Sequence, residues 1–455
     1  MIATPPPSPV RAAFEALGRP DPSGPPLAER RATLGRLHGA VKARAEEIAR
    51  AVDADFGGRP RAETMLAEVA LALAHLRWTR GRLRGWMRPR RVGLPLEFLG
   101  ARARVERVPL GRVAILGPWN YPVQLTLLPL AAALAGGDRV LLKPSEHAPR
   151  TAALLADLLA PFAEVRVVQG GAEAAAEVAG LPLDGLFFTG STATGRKVAE
   201  AAARNLVPTV LELGGKSPAI WLPDADLAAA ARSVMAGKLF SAGQTCVAPD
   251  YLMVPRPRLR DAVAALGAAA RALHPRPEGG DYASLLREGA RERLLGLLEG
   301  EEAVPLLDPM PPPPRLGPYA VVDPDPDAPV MRQEIFGPVL PVLPYGRVED
   351  AVAFVNARPV PLALYVHGGA GAEDVVRATR SGGALVNETI VHVAAHTLPF
   401  GGAGESGMGA YHGEEGFRAF TRPRAVMVAG RWMPALAGRP PYGSRIERII
   451  RLVLR

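Results

Sequence analysis

The chain has 455 residues, 48% of them apolar and 22% charged, which is ordinary for a globular protein and enough for two or three domains. Its single cysteine excludes an intramolecular disulfide framework and a thiolate-rich metal site. No apolar run approaches the ~20 residues of a membrane-spanning helix, and the first residues lack the apolar segment of a signal peptide. We therefore expect a cytoplasmic protein.

The formal net charge of +9 does not by itself indicate a nucleic-acid partner. Only five of the 54 basic residues are lysine, and the arginines are scattered, without a basic run interleaved with aromatic residues. The charge predicts a solvated basic surface, and we expect no nucleic-acid partner.

The first part of the chain predicts an arm, a set of helices and a pair of strands. Residues 1–26 contain eight prolines and favour an irregular arm. Residues 27–87 repeat apolar side chains three and four apart, which is typical of amphipathic helices. Residues 88–110 alternate apolar and charged side chains in ARARVERV, which indicates strands with one face in solvent.

From residue 112 the pattern changes to short apolar runs that alternate with helical runs. This order predicts parallel strands in βαβ units, with ligands at the carboxyl ends of the strands. A second α/β run extends from about residue 214 to 395. It contains the proline run 311–314, which predicts a surface loop of no assigned role. A strand at AVMVAG and a basic tail follow.

Two strand ends carry residues that suit a nucleotide. Gly190 and Ser191 turn a buried strand into a helix, whose free amides and positive dipole end favour a phosphate. Lys143 and Glu146 follow another strand, where a lysine can bind ribose hydroxyls and a carboxylate can accept from a 2′-hydroxyl while repelling a 2′-phosphate. The alternatives are a simple strand-to-helix turn and a solvated strand end.

Three further residues suit covalent catalysis. Glu212 ends an apolar strand, where desolvation raises the pKa of a carboxyl towards that of a general base; the alternative is a structural carboxylate bound to backbone amides. Asn120 lies in a loop bounded by prolines and either donates to an oxyanion or caps a turn. Cys246 follows Gly-Gln-Thr rather than an apolar run, which favours a reactive thiol over a small buried apolar side chain.

These segments resemble the aldehyde dehydrogenase superfamily, and in particular its class 3 branch of fatty, aromatic and coniferyl-type aldehyde dehydrogenases. The resemblance covers nearly the whole chain and rests on these motifs: GPWNYPVQLTLLPL, LLKPSE, FTGSTATGRKV, LELGGKSP, SAGQTCVAPDY, QEIFGPVLP, RPVPLALYV and LPFGGAGESGMGAYHG. The stretches QTCVAPDY and GMGAYHG are particularly characteristic of this branch. The resemblance implies an α/β fold with a variant Rossmann NAD-binding domain, an α/β catalytic domain and a small β bridging or oligomerisation element.

The resemblance also implies a role for each candidate residue. Cys246 would be the nucleophile, Glu212 the general base, and Asn120 an oxyanion donor together with the backbone amide of Cys246. The implied cofactor is NAD, or NADP, and no metal is implied. Its expected contacts are Lys143 and Glu146 at the adenosine ribose, Gly190 and Ser191 at the pyrophosphate, Glu334 at the nicotinamide ribose and Phe336 near the nicotinamide, with Trp119 as a further cofactor contact.

The same resemblance implies five segments, a substrate class and an oligomer. The segments are a Pro-rich arm at 1–26, the NAD-binding domain at 27–208 with bridging strands 88–110 inserted, the catalytic domain at 209–395, a return to the NAD-binding domain with a bridging strand at 396–432, and a basic amphipathic tail at 433–455. The expected substrate is a small aldehyde, either a medium- or long-chain aliphatic one or an aromatic one. The expected assembly is a homodimer.

Two residues depart from the family pattern, and one segment allows two interpretations. Glu405 stands where relatives usually have an uncharged residue, so we expect an acidic group bordering the substrate side. His396 stands where class 3 relatives often have Asn-Pro. The tail RIERIIRLVLR has the pattern of a short basic amphipathic helix, which fits packing on the protein or on a partner subunit and also fits peripheral membrane contact through residues 445–455.

Two other functions remain as alternatives at this point. A CoA-acylating dehydrogenase would form the same thioester and transfer the acyl group to a thiol, but it has little need of a hydrolytic base such as Glu212. A catalytically retired homologue would serve as a binding protein, but it has no chemical need for Cys246, Glu212 and Asn120 together.

Overall fold

The structure is a computed structural model, and it describes residues 7–431, 433–440 and 442–454. The α-helices are α1 (Pro9–Ala16), α2 (Leu27–Ala43), α3 (Ala45–Phe56), α4 (Arg61–Thr64), α5 (Leu71–Trp86), α6 (Gln124–Gly136), α7 (Pro149–Leu159), α8 (Ala172–Ala179), α9 (Thr192–Ala203), α10 (Leu227–Leu239), α11 (Leu259–Leu273), α12 (Ala290–Gly296), α13 (Pro329–Arg332), α14 (Val348–Asn356), α15 (Ala372–Ala378), α16 (Gly413–Ala419) and α17 (Ser444–Val453).

The strands are β1 (Arg90–Val92), β2 (Arg102–Pro109), β3 (Arg112–Leu116), β4 (Arg139–Lys143), β5 (Val165–Val167), β6 (Gly185–Thr189), β7 (Thr209–Glu212), β8 (Pro218–Trp221), β9 (Tyr251–Pro255), β10 (Ala303–Pro305), β11 (Tyr319–Val322), β12 (Val339–Tyr345), β13 (Ala363–His367), β14 (Gly383–Val386), β15 (Gly407–Met408) and β16 (Thr421–Val428). A π-helical segment, Met65–Ala70, joins α4 to α5.

The first α/β run supplies five strands of a six-stranded sheet in the order β15-β7-β6-β3-β4-β5, and the sixth, β15, comes from residues 407–408. Its strands β3 to β7 are parallel, and only the short β15 runs antiparallel, with Gly407 opposite Glu212. The predicted parallel βαβ order is thus confirmed, and the central strands β3, β4 and β6 are buried over nearly their whole length. The strand β7 belongs to this sheet, although the expected boundary at residues 208 and 209 assigns it to the catalytic domain.

A second sheet of seven strands, in the order β10-β11-β12-β9-β8-β13-β14, is formed by the second α/β run. Its strands are parallel except for β10, which pairs antiparallel with β11. The central strands β8, β9 and β13 are buried along their whole length. Continuous burial of this kind explains why these segments read as apolar runs rather than as alternating patterns.

A third, antiparallel sheet has three strands in the order β1-β2-β16. Residues 102–109 pair with residues 421–428 in antiparallel register, from Val428 opposite Arg102 to Thr421 opposite Pro109. The predicted strands are present, but exposure along β2 is intermediate over most of its length and does not alternate between two faces. The strand β16 lies at the edge of the sheet and is mostly exposed.

The prediction of an irregular arm at residues 1–26 is wrong for residues 9–16, which form α1. The side chain of Ser8 accepts a hydrogen bond from the backbone amide of Arg11, and Pro9 occupies the first turn. Both features favour a helix start, since an N-cap hydroxyl satisfies a free amide and proline needs no donor there. Val10 and Phe14 are buried in a hydrophobic cluster that includes residues of the six-stranded sheet. Residues 1–6 of the expected arm lie outside the described residues.

The C-terminal helix forms where the tail pattern predicts it, over Ser444–Val453. Arg455 lies outside the described residues. Among the helices that the structure describes, none is both long and apolar enough to span a bilayer.

Candidate active site

The loop that carries Cys246 is set by the end of α10 and by one buried glutamine. A tight turn at Phe240–Gly243 follows α10, and it holds Ser241 and Ala242 at φ values of 52° and 51°. Non-glycine residues rarely adopt this left-handed backbone, and such strain is often found at functional sites. The side chain of Gln244 binds the Ser241 and Ser284 carbonyls at 2.9 and 3.0 Å. The direction of the chain at Cys246 is therefore fixed by its neighbours.

The thiol of Cys246 lies in an environment that disfavours its anion. The residue as a whole keeps some exposure, but the thiol lies deep enough that burial raises its pKa to about 12, with Glu334 and Glu212 adding to the rise. The thiol is thus protonated near neutral pH in this state of the protein.

Glu212 is the last residue of β7, with only 3% of its surface exposed. Neither of its carboxyl oxygens has a hydrogen-bond partner among the described residues. Burial therefore raises the pKa of this carboxyl well above its ordinary value. The contacts do not support the alternative of a structural carboxylate held by backbone amides, and a buried unpaired carboxyl is suited to accept a proton.

Asn120 is connected directly to the cysteine loop. Its Nδ2 donates to the Gln244 carbonyl at 3.0 Å, and the neighbouring Tyr121 hydroxyl lies 2.6 Å from Thr245 Oγ1. The side chain is nearly fully buried. An amide nitrogen carries two N–H groups, so one remains for a ligand oxygen beside the cysteine. This contact differs from the turn-capping role that the sequence also allowed.

The residues expected at a nucleotide occupy the ends of β4 and β6. The ammonium of Lys143, which is buried, donates to the carboxylate of Glu146. Ser191 is the N-cap of α9, and its Oγ accepts from the Thr194 amide at 3.3 Å. A side chain on Gly190 would collide with the ring of Phe188. The strand ends thus bring a cation, a carboxylate and a capped helix start to one edge of the sheet.

Glu334 and Phe336 lie on the loop after α13, and Trp119 lies on the loop after β3. Trp119 and Phe336 meet edge to face with their ring centroids 5.3 Å apart. The carboxyl of Glu334 packs against Gly214 so closely that any side chain there would collide with it. Burial raises the pKa of Glu334 to about 8, with Asp250 adding to the rise. A cavity of about 500 Å³ opens beside Glu334 and extends to Thr192 at the start of α9.

Comparison with known proteins agrees with this geometry. Residues 10–426 match the model of the aldehyde dehydrogenase family. The chain belongs to the aldehyde dehydrogenase family. A probable coniferyl aldehyde dehydrogenase from Pseudomonas aeruginosa is 41% identical over 451 residues, which cover 97% of this chain and 94% of that relative. This similarity agrees with the coniferyl-type branch that the motifs indicate.

Solved structures show that the aldehyde dehydrogenase fold extends over the chain. The substrate-bound state of AldH from Staphylococcus aureus has a TM-score of 0.90 and 32% identity, and the match covers 98% of each chain. An NAD-dependent aldehyde dehydrogenase from Sinorhizobium meliloti has a TM-score of 0.84 and 28% identity, covering 96% of this chain and 87% of that chain. The expected α/β aldehyde dehydrogenase-like fold is therefore confirmed.

The position of Glu405 in this aldehyde dehydrogenase differs from the expectation of an acidic group at the substrate side. Its carboxylate binds Arg196 Nη2 at 2.6 Å, and its carbonyl accepts from Thr192 Oγ1 at 2.9 Å. Both partners belong to the first turns of α9, so Glu405 lies at the helix start expected to hold the pyrophosphate. The sequence did not reveal this contact because the partners are more than 200 residues apart.

His396 lies beside two other histidines instead of standing alone. Its ring is 5.8 Å from that of His75, which lies 5.9 Å from His412. Burial lowers the pKa of all three imidazoles, so they are neutral near pH 7. The described residues contain no cluster with the makeup of a metal site.

Sequence reasoning missed two kinds of site residue. Gln244 organises the cysteine loop, and its place two residues before Cys246 was a usable signal, since a buried amide next to a nucleophile must satisfy its own donors. Arg59 and Glu68 lie behind the Asn120 loop, and nothing in their local sequence indicated this. Contacts across more than 50 residues leave no periodic pattern to find.

Proposed function

We propose that this aldehyde dehydrogenase oxidises a medium- or long-chain aliphatic aldehyde, or an aromatic one, to the carboxylic acid through a thioester on Cys246. One observation carries the proposal. The only cysteine of the chain lies in a loop bound to the Asn120 amide, and the buried carboxyl of Glu212 at the end of β7 has no hydrogen-bond partner among the described residues. These three groups take the roles of nucleophile, oxyanion donor and base.

The residues present fit NAD or NADP as the oxidant. Lys143 and Glu146 supply a donor and an acceptor for ribose hydroxyls, and Ser191 caps a helix whose start suits a pyrophosphate. Glu334 would bind the second ribose, and Trp119 and Phe336 would flank the nicotinamide. When bound, this cofactor supplies the acceptor for a hydride. The carboxylate of Glu146 favours NAD over NADP, because a 2′-phosphate would be repelled.

The protein residues then account for bond making and bond breaking. Cys246 first loses its thiol proton to solvent water, and its Sγ then bonds to the aldehyde carbon while the carbonyl oxygen becomes an alkoxide. The free N–H of Asn120 and the backbone amide of Cys246 donate to that alkoxide, and removal of one such donor typically slows a reaction about 100- to 1,000-fold. Oxidation of this thiohemiacetal leaves a thioester on the sulfur.

Hydrolysis of the thioester is assigned to Glu212. Its carboxylate removes a proton from a water molecule, the resulting hydroxide bonds to the thioester carbon, and the carbon–sulfur bond breaks to release the carboxylic acid. The raised pKa of Glu212 makes this carboxylate a stronger base than an exposed glutamate. Desolvation around it also limits the competing proton exchange with bulk water.

Mass spectrometry of the enzyme mixed with NAD and either octanal or benzaldehyde tests the thioester. We expect the added mass of an acyl group on the peptide that contains Cys246. The Cys246→Ala variant should still bind NAD, as measured by tryptophan quenching, but should form NADH more than about 1,000-fold more slowly. Undiminished NADH formation by Cys246→Ala would contradict the proposal. Failure of the wild-type protein to bind NAD would favour a retired homologue.

We also propose that the enzyme is a cytoplasmic homodimer. An unpaired nucleophilic thiol persists best in a reducing compartment. Among the described residues no further strand pairs with the outer edge of the eight-residue strand β16, and exposed edges of this length usually have a partner or a protective device. Pairing of this edge with a second copy would satisfy its backbone groups.

For the tail we propose peripheral contact with an anionic membrane surface. Ile450 is 49% exposed on α17, which also carries arginines, and Leu454, directly after that helix, is 81% exposed. Deleting residues 444–455 should reduce cosedimentation with anionic liposomes at low salt. Equal cosedimentation of the intact and shortened proteins would instead assign the helix to packing within the assembly.

A further inference from the structure

A buried ion pair lies behind the loop that carries Asn120, outside the groups used so far. Arg59 Nη1 donates to Glu68 Oε1 at 2.9 Å, and both side chains are completely buried. Burying two charges costs free energy that their attraction only partly offsets, so a pair of this kind is weak evidence for stability. Its contacts indicate a role other than stabilising the fold.

Arg59 binds the backbone of the catalytic amide itself. The same Nη1 donates to the Asn120 carbonyl at 2.9 Å. The guanidinium also lies over the Tyr121 ring, 4.6 Å from its centroid, and over the Phe56 ring at 4.8 Å. Since the Tyr121 hydroxyl contacts Thr245, next to Cys246, Arg59 touches both residues that tie this loop to the nucleophile.

Glu68 holds the other side of the same loop. Its Oε2 accepts from the backbone amides of Val123 and Gln124 at 2.7 and 3.1 Å. These amides open α6, where a carboxylate is favoured by the helix dipole. Burial raises the pKa of Glu68, while Arg59 and the two amides oppose that rise. The loop between β3 and α6 is therefore held at its centre by Arg59 and at its end by Glu68.

The segment that supplies these groups also contacts the cysteine loop. Glu63, between Arg59 and Glu68, accepts from the backbone amide of Ser241 at 3.2 Å. Ser241 is one of the two strained residues that precede Cys246. The π-helical turn Met65–Ala70 follows immediately, and such turns occur frequently at functional sites. One segment thus fixes the loops of both the oxyanion donor and the nucleophile.

We propose that the Arg59–Glu68 ion pair positions Asn120 relative to Cys246, so that the free N–H of Asn120 meets the alkoxide of the thiohemiacetal. This inference rests on the proposed function. Arg59 and Glu68 touch no reacting atom and act through the backbone of the loop. A displacement of about 1 Å at a catalytic group can cost about 100-fold in rate, so loss of the pair should be measurable in the chemistry.

The test compares variants of the pair with a matched arginine at the far end of α6. Arg30 is also buried, and it donates to the Ala135 and Gly136 carbonyls at 2.9 and 2.6 Å. Stopped-flow NADH formation with octanal should be about 10- to 100-fold slower in Arg59→Met, with NAD binding unchanged. Arg30→Met should lower Tm but change that rate less than about twofold.

A charge-neutral variant covers the case in which Arg59→Met does not fold. Arg59→Met combined with Glu68→Gln removes both charges together and leaves no unpaired buried ion. We expect it to fold with a Tm near that of the wild type and still to form NADH about 10- to 100-fold more slowly. A folded double variant with the wild-type rate would overturn the proposal.

A cycle with Asn120→Ala separates positioning from a general structural effect. Asn120→Ala alone should slow NADH formation about 100- to 1,000-fold, and adding Arg59→Met should slow it no further. A further slowing equal to that of Arg59→Met alone would show that Arg59 acts by another route, which overturns the inference. Full activity of Asn120→Ala would instead contradict the proposed function, so the two failures are distinguishable.

Discussion

Several residues at this site are held in conformations or environments that lower the stability of the folded protein. Glu212 is buried without a hydrogen-bond partner among the described residues, and Ser241 and Ala242 hold a left-handed backbone. Each state costs free energy, about 1–3 kcal/mol for an unsatisfied buried group or a strained residue. Such costs are expected where chemistry and not stability determines the residue.

The pH dependence of stability tests the state of Glu212. Because folding raises the pKa of this carboxyl above its ordinary 4.5, the folded protein binds the proton more tightly than the unfolded chain does. Below pH 4.5, Glu212 is protonated in both states and costs the folded protein little free energy. The cost grows as the pH rises from 4.5 towards the raised pKa of the folded state, because the unfolded chain then ionises more readily. Glu212→Gln should be more stable than the wild type by about 1 kcal/mol or more at about pH 8, and the difference should shrink towards about pH 5.

Thermal melts across this pH range make the measurement, with the exposed Glu200 of α9 as a control. Glu200→Gln should give a difference from wild type that is small at every pH. A Glu212→Gln variant whose Tm falls below that of the wild type at high pH would contradict the unpaired state of the carboxyl.

At the scale of elements, α1 shows how tertiary contacts decide a short helix. Proline-rich flanks made the segment look irregular, yet Val10 and Phe14 recur four apart and are both buried. The Phe14 ring also lies under Arg112, 3.8 Å from the guanidinium carbon. A helix of eight residues is not stable alone, so its packing on the six-stranded sheet must supply the stability.

Removal of that contact should weaken the fold and leave the chemistry intact. Phe14→Ala should lower the free energy of unfolding by about 3 kcal/mol, since it leaves a cavity under Arg112. The exposed neighbour Arg11 provides the control, and Arg11→Ala should change stability by less than about 0.5 kcal/mol. Denaturant unfolding measures both, and equal stability of the two variants would show that α1 is not docked.

At the scale of the whole molecule, the third sheet presents an exposed edge strand. Its outer strand β16 is mostly exposed, and Met427 and Val428 are each more than 40% exposed. Lysines placed there in both copies should repel each other and break the proposed dimer. Met427→Lys with Val428→Lys should sediment as a monomer at micromolar concentration, whereas Leu206→Lys, at another exposed apolar residue, should remain dimeric. A dimer in both variants would place the interface elsewhere.

The sequence predicted the features that repeat locally or belong to a known motif. Apolar runs between helical runs predicted the parallel sheets, and residue types and motifs identified the loops around Cys246, Glu212 and Asn120 as candidate site loops. It did not predict contacts between distant segments, such as Arg59 with the Asn120 carbonyl or Glu405 with Arg196. Those depend on how the loops meet in space, which no local pattern encodes.

The central claim is that Cys246 forms a thioester which Glu212 hydrolyses, and pre-steady-state NADH formation at 340 nm by Glu212→Gln tests it most directly. With octanal and NAD, we expect a rapid burst of about one NADH per active site, followed by turnover at least about 100-fold slower than in the wild type. The burst reports thioester formation, and the slow phase reports the missing base. Steady turnover at the wild-type rate would show that Glu212 is not the hydrolytic base and would contradict the account.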